Sequence, residues 1–258
     1  MVRREVRITY DQLVERGLQD AWITLCCVSN EVGGDLISNA LWSGVPVADL
    51  LAEAGVDARA DAVLQTSSDG WTCGTPLPAL TDGRNALLAV AMNGEPLSVE
   101  HGFPVRVVVP GLYGYVSATK WVVDWEVTRF ADFDAYWTQR GWAELGPVKT
   151  QSRIDVPRSG SEVRAGTVRV AGVAWAQHTG IDHVEVRVDD GGWSAATLGA
   201  DPSIDTWVQW VFEWEATAGE HTLAVRATDR RGQTQTSERV GTVPDGATGW
   251  HTVDVRVG

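Results

Sequence analysis

Two adjacent cysteines, Cys26 and Cys27, stand where a short apolar run gives way to the polar, glycine-bearing stretch Val28-Ser29-Asn30-Glu31-Val32-Gly33-Gly34. Successive side chains on a strand point to opposite faces, so at most one of these sulfurs addresses a given site. A thiolate there would serve as metal ligand or nucleophile, whereas a packed thiol is simply a small hydrophobe. A second stretch, His101-Gly102-Phe103-Pro104-Val105-Arg106, sets an imidazole and a guanidinium at a loop-to-strand junction, where both can reach one anion. Beyond Pro110-Gly111 lie Ser117, Thr119 and Lys120, donors on a glycine-containing backbone suited to wrapping a phosphate. Each of these also reads as an ordinary surface or structural residue. A thiol enzyme pairing Cys27 with His101 has the right residue types, but nothing in their spacing says that they meet. A closed His/Cys metal cage does not fit, because there is no Cys-x-x-Cys pair and the five histidines are scattered. Asp69, Asp82 and Glu95 fall in turn contexts and read as solvated loop residues.

The elements that must position these groups divide the chain near residue 150. In the first part, Val6–Tyr10 reads as a strand leading into a short helix, and Trp22–Leu25 as a second strand. Val45–Ala54 reads as a helix with Val47, Leu50, Leu51 and Ala54 on one face and Gly55 as its stop. Ala62–Thr66, Leu87–Met92 and Val105–Val109 are strand candidates, and Asn93-Gly94 is the strongest hairpin signal in the chain. Val122, Val123 and Val127 favour strand over a helix carrying Trp121 and Trp125. From Thr150 the pattern is all strand: Val168–Trp175, Ile181–Val188, a turn at Asp189-Asp190-Gly191-Gly192, then Trp207–Trp214 and His221–Asp229. The expected fold class is therefore α+β, an α+β portion followed by an all-β sandwich of immunoglobulin type without a core disulfide.

Composition narrows the function. Thirty-four acidic and 21 basic residues give a net charge of −13, against a nucleic-acid partner. Hydrophobic residues make up 44%, enough for real cores in 258 residues. No apolar run of membrane-spanning length is present, and Arg3-Arg4 are not followed by a signal-peptide core. Three cysteines are too few for a disulfide framework, and a reducing compartment is the simpler expectation.

Thr24–Asn30, Met92-Asn93-Gly94-Glu95-Pro96-Leu97, His101–Gly111 and Lys120-Trp121 together resemble, in order and spacing, the sulfite oxidase family of molybdopterin-dependent oxidoreductases. Lys149–Ser152, Gly172–Trp175 and Trp250–Val253 resemble that family's immunoglobulin-like dimerisation domain. The resemblance implies a molybdopterin-binding domain over 1–149 and a dimerisation domain over 150–258. It implies Cys27 as molybdenum ligand and catalytic centre, with Cys26 turned away. It places His101 and Arg106 on the pyranopterin and its phosphate, Lys120 as a further cofactor contact, Ser117 and Thr119 in the same donor-rich stretch, and Asn30 in the loop behind the ligand. The implied chemistry is two-electron redox coupled to oxygen-atom transfer on a small-molecule substrate, with a separate electron acceptor and a homodimer through the second domain.

Three departures bear on the substrate. Glu31-Val32-Gly33-Gly34 and Asp205-Thr206-Trp207 stand where sulfite oxidases carry substrate-gathering arginines, and Trp142 where they carry a catalytic tyrosine. The resemblance therefore implies the reaction class better than it implies sulfite. Only 26 residues precede Cys27, so the chain reads as the carboxy-terminal part of a longer protein, with a membrane anchor upstream in some relatives. The contrasting expectation is a cofactor-free structural or interaction module that dimerises through the tryptophan-rich second part.

Overall fold

A computed structural model describes all residues 1–258, which form two compact units. The first comprises Met1–Val28, Ser38–Pro147 and Val243–Asp245; the second comprises Ser29–Ile37, Val148–Thr242 and Gly246–Gly258.

The first unit is mixed. One sheet has the order β1 (Gln19–Cys26), β2 (Ile37–Pro46), β5 (Leu87–Met92) and β6 (Glu95–Pro96), with β7 (Arg106–Val108) also pairing with β5. A three-stranded sheet sets β3 (Ala62–Ser67) between β4 (Thr72–Pro76) and β8 (Val122–Thr128). The helices are short: α1 (Tyr10–Val14), α2 (Val47–Ala54) and α3 (Leu77–Thr81). Val47, Leu50 and Leu51 bury the inner face of α2, and Gly55 ends it in the left-handed region at φ 69°. Ala21 and Ile23 of β1, Trp42 of β2 and Val108 of β7 belong to a second apolar cluster built with Leu87 and Ala89 of β5. The β5–β6 hairpin turns at Asn93-Gly94 with φ 55° and 82°, the doubly left-handed pair such a turn requires.

Two expectations change here. Residues Val6 to Thr9 form no strand; Thr9 caps α1, its hydroxyl accepting from Gln12 N while the Gln12 side chain accepts from Thr9 N. The helix expected from Val45 begins only at Val47, because Val45 and Pro46 end β2 in register with Leu88 and Leu87. Local apolar periodicity continues across that junction, but strand pairing claims its first two residues.

The second unit is β-rich. Its sheets run β14 (Thr197–Leu198), β15 (Val208–Ala216), β11 (Gly166–Trp175), β9 (Gln151–Val156), and β10 (Ser161–Val163), β17 (His251–Val257), β16 (Gly219–Asp229), β12 (Ile181–Val188), β13 (Trp193–Ala195). Inward residues of both sheets, among them Val170, Trp210, Val184, Leu223 and Val253, form one continuous core. The alternation read in Ile181–Val188 is the observed strand, whose Val184 and Val186 are buried. The three cysteines are free thiols. No helix is long and apolar enough to cross a membrane.

Candidate functional site

Cys26 closes β1 and is buried, whereas Cys27 lies just beyond the strand and is exposed. The strand's alternation sends the two sulfurs to different surroundings. Cys26 Sγ donates to the Cys27 carbonyl at 3.5 Å, and burial, with the neighbouring Cys27 adding, pushes its thiol up to about 12. Cys73 is fully buried and is likewise held near 12 by desolvation. Cys27 is thus the one exposed cysteine.

The cationic residues converge on the loop before β7. Arg106 begins β7 and its main chain bridges Lys120, while Val107 N donates to Thr119 O at 2.9 Å. The positive φ of Gly102, +106°, lets the loop pass close behind both side chains. An added Cβ there would lie 3.0 Å from Arg106 Cβ and 3.1 Å from Lys120 Cβ. Arg106 Nη1 donates to His101 O at 3.1 Å, and its guanidinium carbon sits 5.0 Å from the centre of the Trp42 ring. Lys120 Nζ donates to Glu100 O at 2.7 Å, and His101 Nδ1 lies 2.8 Å from Ser98 Oγ.

Arg106 is 6% exposed, makes no ion pair, and leaves Nε buried without an acceptor. Desolvation alone lowers it to about 10, so it remains a cation at neutral pH. Burial, and secondarily the Arg106 charge, also lowers Lys120 against the opposing pull of Glu100. A buried guanidinium lacking a carboxylate is costly, and an anionic oxygen meeting its free N–H would offset that cost. Two converging cations in a chain of net charge −13 make this a locally positive surface.

Trp42 links this site toward Cys27, since its indole Nε1 donates to Ile23 O at 3.4 Å on the neighbouring β1. Four further residues along that strand bring the chain to Cys27, a span of about 13 Å at normal strand rise. The structure therefore unites His101, Arg106 and Lys120 directly, and joins Cys27 to them through β1 and β2. Trp42 is the member that the sequence did not reveal, because its role depends on strand pairing.

The remaining residues singled out by sequence hold backbone. Ser117 is fully buried and donates to the Tyr113 carbonyl at 2.9 Å and to the Leu112 carbonyl at 3.3 Å. Thr119 is also fully buried and supplies the carbonyl that β7 pairs with. Asn30 belongs to the second unit and is 3% exposed, its Oδ1 accepting from Leu36 N at 2.8 Å. Trp142 packs against Tyr115 and Trp137 with ring centres 5.8 and 6.4 Å away. Asp205 is buried, with Oδ1 3.2 Å from His178 Nδ1. No group of three or more His, Cys, Asp or Glu side chains forms a metal cage.

Comparison with known proteins gives this arrangement a setting. Residues 1–137 match the family described as oxidoreductase molybdopterin binding domain. The chain is similar to mitochondrial sulfite oxidase of Homo sapiens, 31% identical over 73% of this chain and 40% of that protein. It is 39% identical to the uncharacterized oxidoreductase YuiH of Bacillus subtilis, over 41% of this chain and 52% of that one. It thus spans about 40% of the length of the sulfite oxidases it matches. Among solved structures, the sulfane dehydrogenase SoxCD from Paracoccus pantotrophus superposes with TM-score 0.83 at 22% identity, covering 99% of this chain and 73% of that chain. That likeness shows a shared mixed α+β fold, dominated by β-sheet and continuing through the β-rich second unit.

Proposed function

The chain belongs to the oxidoreductase molybdopterin binding domain family, with a further carboxy-terminal region, and from that premise we propose that it carries out molybdenum-cofactor-dependent oxidoreduction with Cys27 as the metal's protein ligand. The observation that carries this reading is the buried Arg106, whose Nε N–H has no acceptor. The donor set fits the group: one accessible soft thiolate suits a metal already held by an organic dithiolene, so a many-ligand protein cage is unnecessary. When bound, the cofactor supplies two-electron redox chemistry coupled to oxygen-atom transfer, its electrons passing on to a separate acceptor.

The chain's own residues bind and orient. Arg106 and Lys120 draw the anionic end of the cofactor, and the exposed imidazole of His101 completes that wall. The Trp42 ring, 5.0 Å from the guanidinium carbon, steadies the Arg106 side chain. Ser117 and Thr119 fix the loop behind β7, and Asn30 shapes the turn after Cys27. Cys26, kept protonated by burial, stays out of competition for the metal. Glu31, Val32, Gly33, Gly34 and Asp205 stand where the sulfite-oxidising relatives place arginines, which argues for a substrate less anionic than sulfite.

On this reading residues 1–149 are the cofactor domain and 150–258 an immunoglobulin-like domain that forms a homodimer, the latter supported by two sheets around one core. A second reading, a cofactor-free interaction module, is favoured by a patch on the second unit. There Arg187 lies 5.1 Å from the Trp193 ring centre and 5.3 Å from that of Trp250, and Arg226 lies 4.2 Å from Trp193. Trp and Arg are the residue types that carry interface energy. Elemental analysis of protein from a cofactor-producing host, with Cys27→Ser alongside, tests the first reading. Molybdenum retained equally in both would reject it. Scattering mass tests the homodimer: a mass near one chain throughout the working concentration range would count against it.

A further inference from the structure

The first unit holds a cavity of about 570 Å³ that none of the roles assigned so far uses, and every residue lining it belongs to that unit. Its size lies within the range of ligand pockets. Leu50 and Leu51 of α2, Leu88 of β5 and Val105 give it an apolar floor. One wall is the segment before α1, where sequence alternation predicts a strand and none forms; the other is β8.

Both walls present unpaired main chain. In residues 5–8 Val6 and Ile8 are half-buried while Glu5 and Arg7 are exposed, and none of their backbone groups bonds to another backbone group. The segment is held at its ends, where Arg3 N and Arg4 N donate to Ala54 O at 3.0 and 3.1 Å and Thr9 caps α1. Opposite, β8 is an edge strand covered on one side by β3. The Met1 amino group donates to Val127 O from the open side, and Val122 N donates to Val105 O at 3.4 Å near the other end. Main-chain groups two residues apart on a strand face the same edge, so Trp125 turns its N–H and C=O outward with Val127. Neither has a partner there, and the Trp125 indole Nε1 is buried without an acceptor. Unpaired backbone along a strand edge is a template for a further strand, whereas a wholly apolar molecule would leave these groups unmet. Asp124 and Glu126 flank Trp125 with exposed carboxylates, so a strand laid alongside would set basic residues opposite them.

We propose that this cavity docks one extended segment of a partner polypeptide that alternates apolar and basic residues. The segment's backbone pairs with Trp125 on one side and with residues 5–8 on the other, as an added strand. Its apolar side chains enter over Leu50, Leu88 and Val105, and its basic ones meet Asp124 and Glu126. Docking of this kind does not require molybdenum at Cys27, so it stands or falls separately from the cofactor reading.

The test uses the full chain and an acetylated, amidated heptapeptide that alternates valine and lysine. Saturating peptide should slow amide hydrogen exchange at Trp125 and Val127 at least about tenfold and leave exchange in β16 unaltered. The same peptide methylated on its valine nitrogens keeps its side chains but loses backbone donors, and should bind at least about tenfold more weakly. Asp124→Lys, at an exposed position, should weaken the lysine peptide at least about threefold and favour a version with glutamate in place of lysine. Absence of binding, or equal binding of the methylated peptide, would overturn the added strand. A preference unmoved by Asp124→Lys would overturn the basic complement. Trp125 and Val127 amides already slow in the free monomer would show residues 5–8 filling the cavity themselves. The same amides slow only in a species of twice the chain mass would show a second copy there, and either result would overturn a partner segment as the occupant.

Discussion

The guanidinium of Arg106 lies 5.0 Å from the centre of the Trp42 ring, buried and without a carboxylate partner. Apolar burial and a cation–π contact hold a charge that the cofactor-free protein does not neutralise. On the proposed reading, fold stability is given up here so that the guanidinium can meet an anion.

That sacrifice predicts opposite signs for one substitution. Arg106→Met should stabilise the cofactor-free protein by about 1–3 kcal/mol, the removed desolvation cost exceeding the lost bond to His101. The same variant should lose cofactor. Thermal or urea unfolding and metal analysis on parallel samples check both arms. The sign with pH follows from a cation whose folded pKa, about 10, lies below its unfolded value. Above pH 10 the unfolded chain holds the extra proton until its own guanidinium titrates, so rising pH favours the fold, and the variant's advantage should shrink there.

Cys26 and Cys73 carry thiols pushed up to about 12 by burial. Alkylation of the native cofactor-free chain at pH 8 should therefore give one adduct, on Cys27, with three appearing only after unfolding. Peptide mass spectrometry reads this directly. A raised thiol pKa keeps its full stabilising effect below pH 9 and loses it as pH climbs toward 12. Cys26→Ala should accordingly flatten part of the alkaline fall in stability.

Gly102 sits at φ +106° with Arg106 and Lys120 crowding the place a Cβ would occupy. Gly102→Ala should cost about 1–3 kcal/mol and displace both cations. Unfolding free energy and cofactor content should fall together, whereas Gly83→Ala, at φ +90° with no neighbour near its Cβ, should cost stability alone.

In the second unit His221 Nδ1 lies 2.8 Å from Asp189 Oδ2. The bond to Asp189, followed by one to Thr217 O, raises the imidazole's pKa. The resulting stabilisation is complete below pH 6.5 and disappears as pH rises through the higher folded value. His221→Ala should abolish that portion of the pH dependence, so the stability gap between wild type and variant should be constant below pH 6.5 and close as pH rises above it.

What the sequence showed and what it hid follow from the range of each interaction. The Asn93-Gly94 hairpin, the alternation of Ile181–Val188 and the Gly55 helix stop depend on neighbours a few residues away, and all are present. The cationic residues were recognisable by type. Trp42 under Arg106 and His251 against Gly33 were not, because each depends on elements distant in the chain coming together. Ser117 was read as a free donor from its loop, yet tertiary burial commits its hydroxyl to two carbonyls.

The central claim is that Cys27 is the protein's bond to molybdenum. Metal content of purified wild type and Cys27→Ser from the same cofactor-producing host tests it most directly. Molybdenum should approach the protein concentration in wild type and be lost in the variant, with both equally folded. Equal molybdenum in the two, or none in wild type from a host that loads other molybdopterin enzymes, would contradict it.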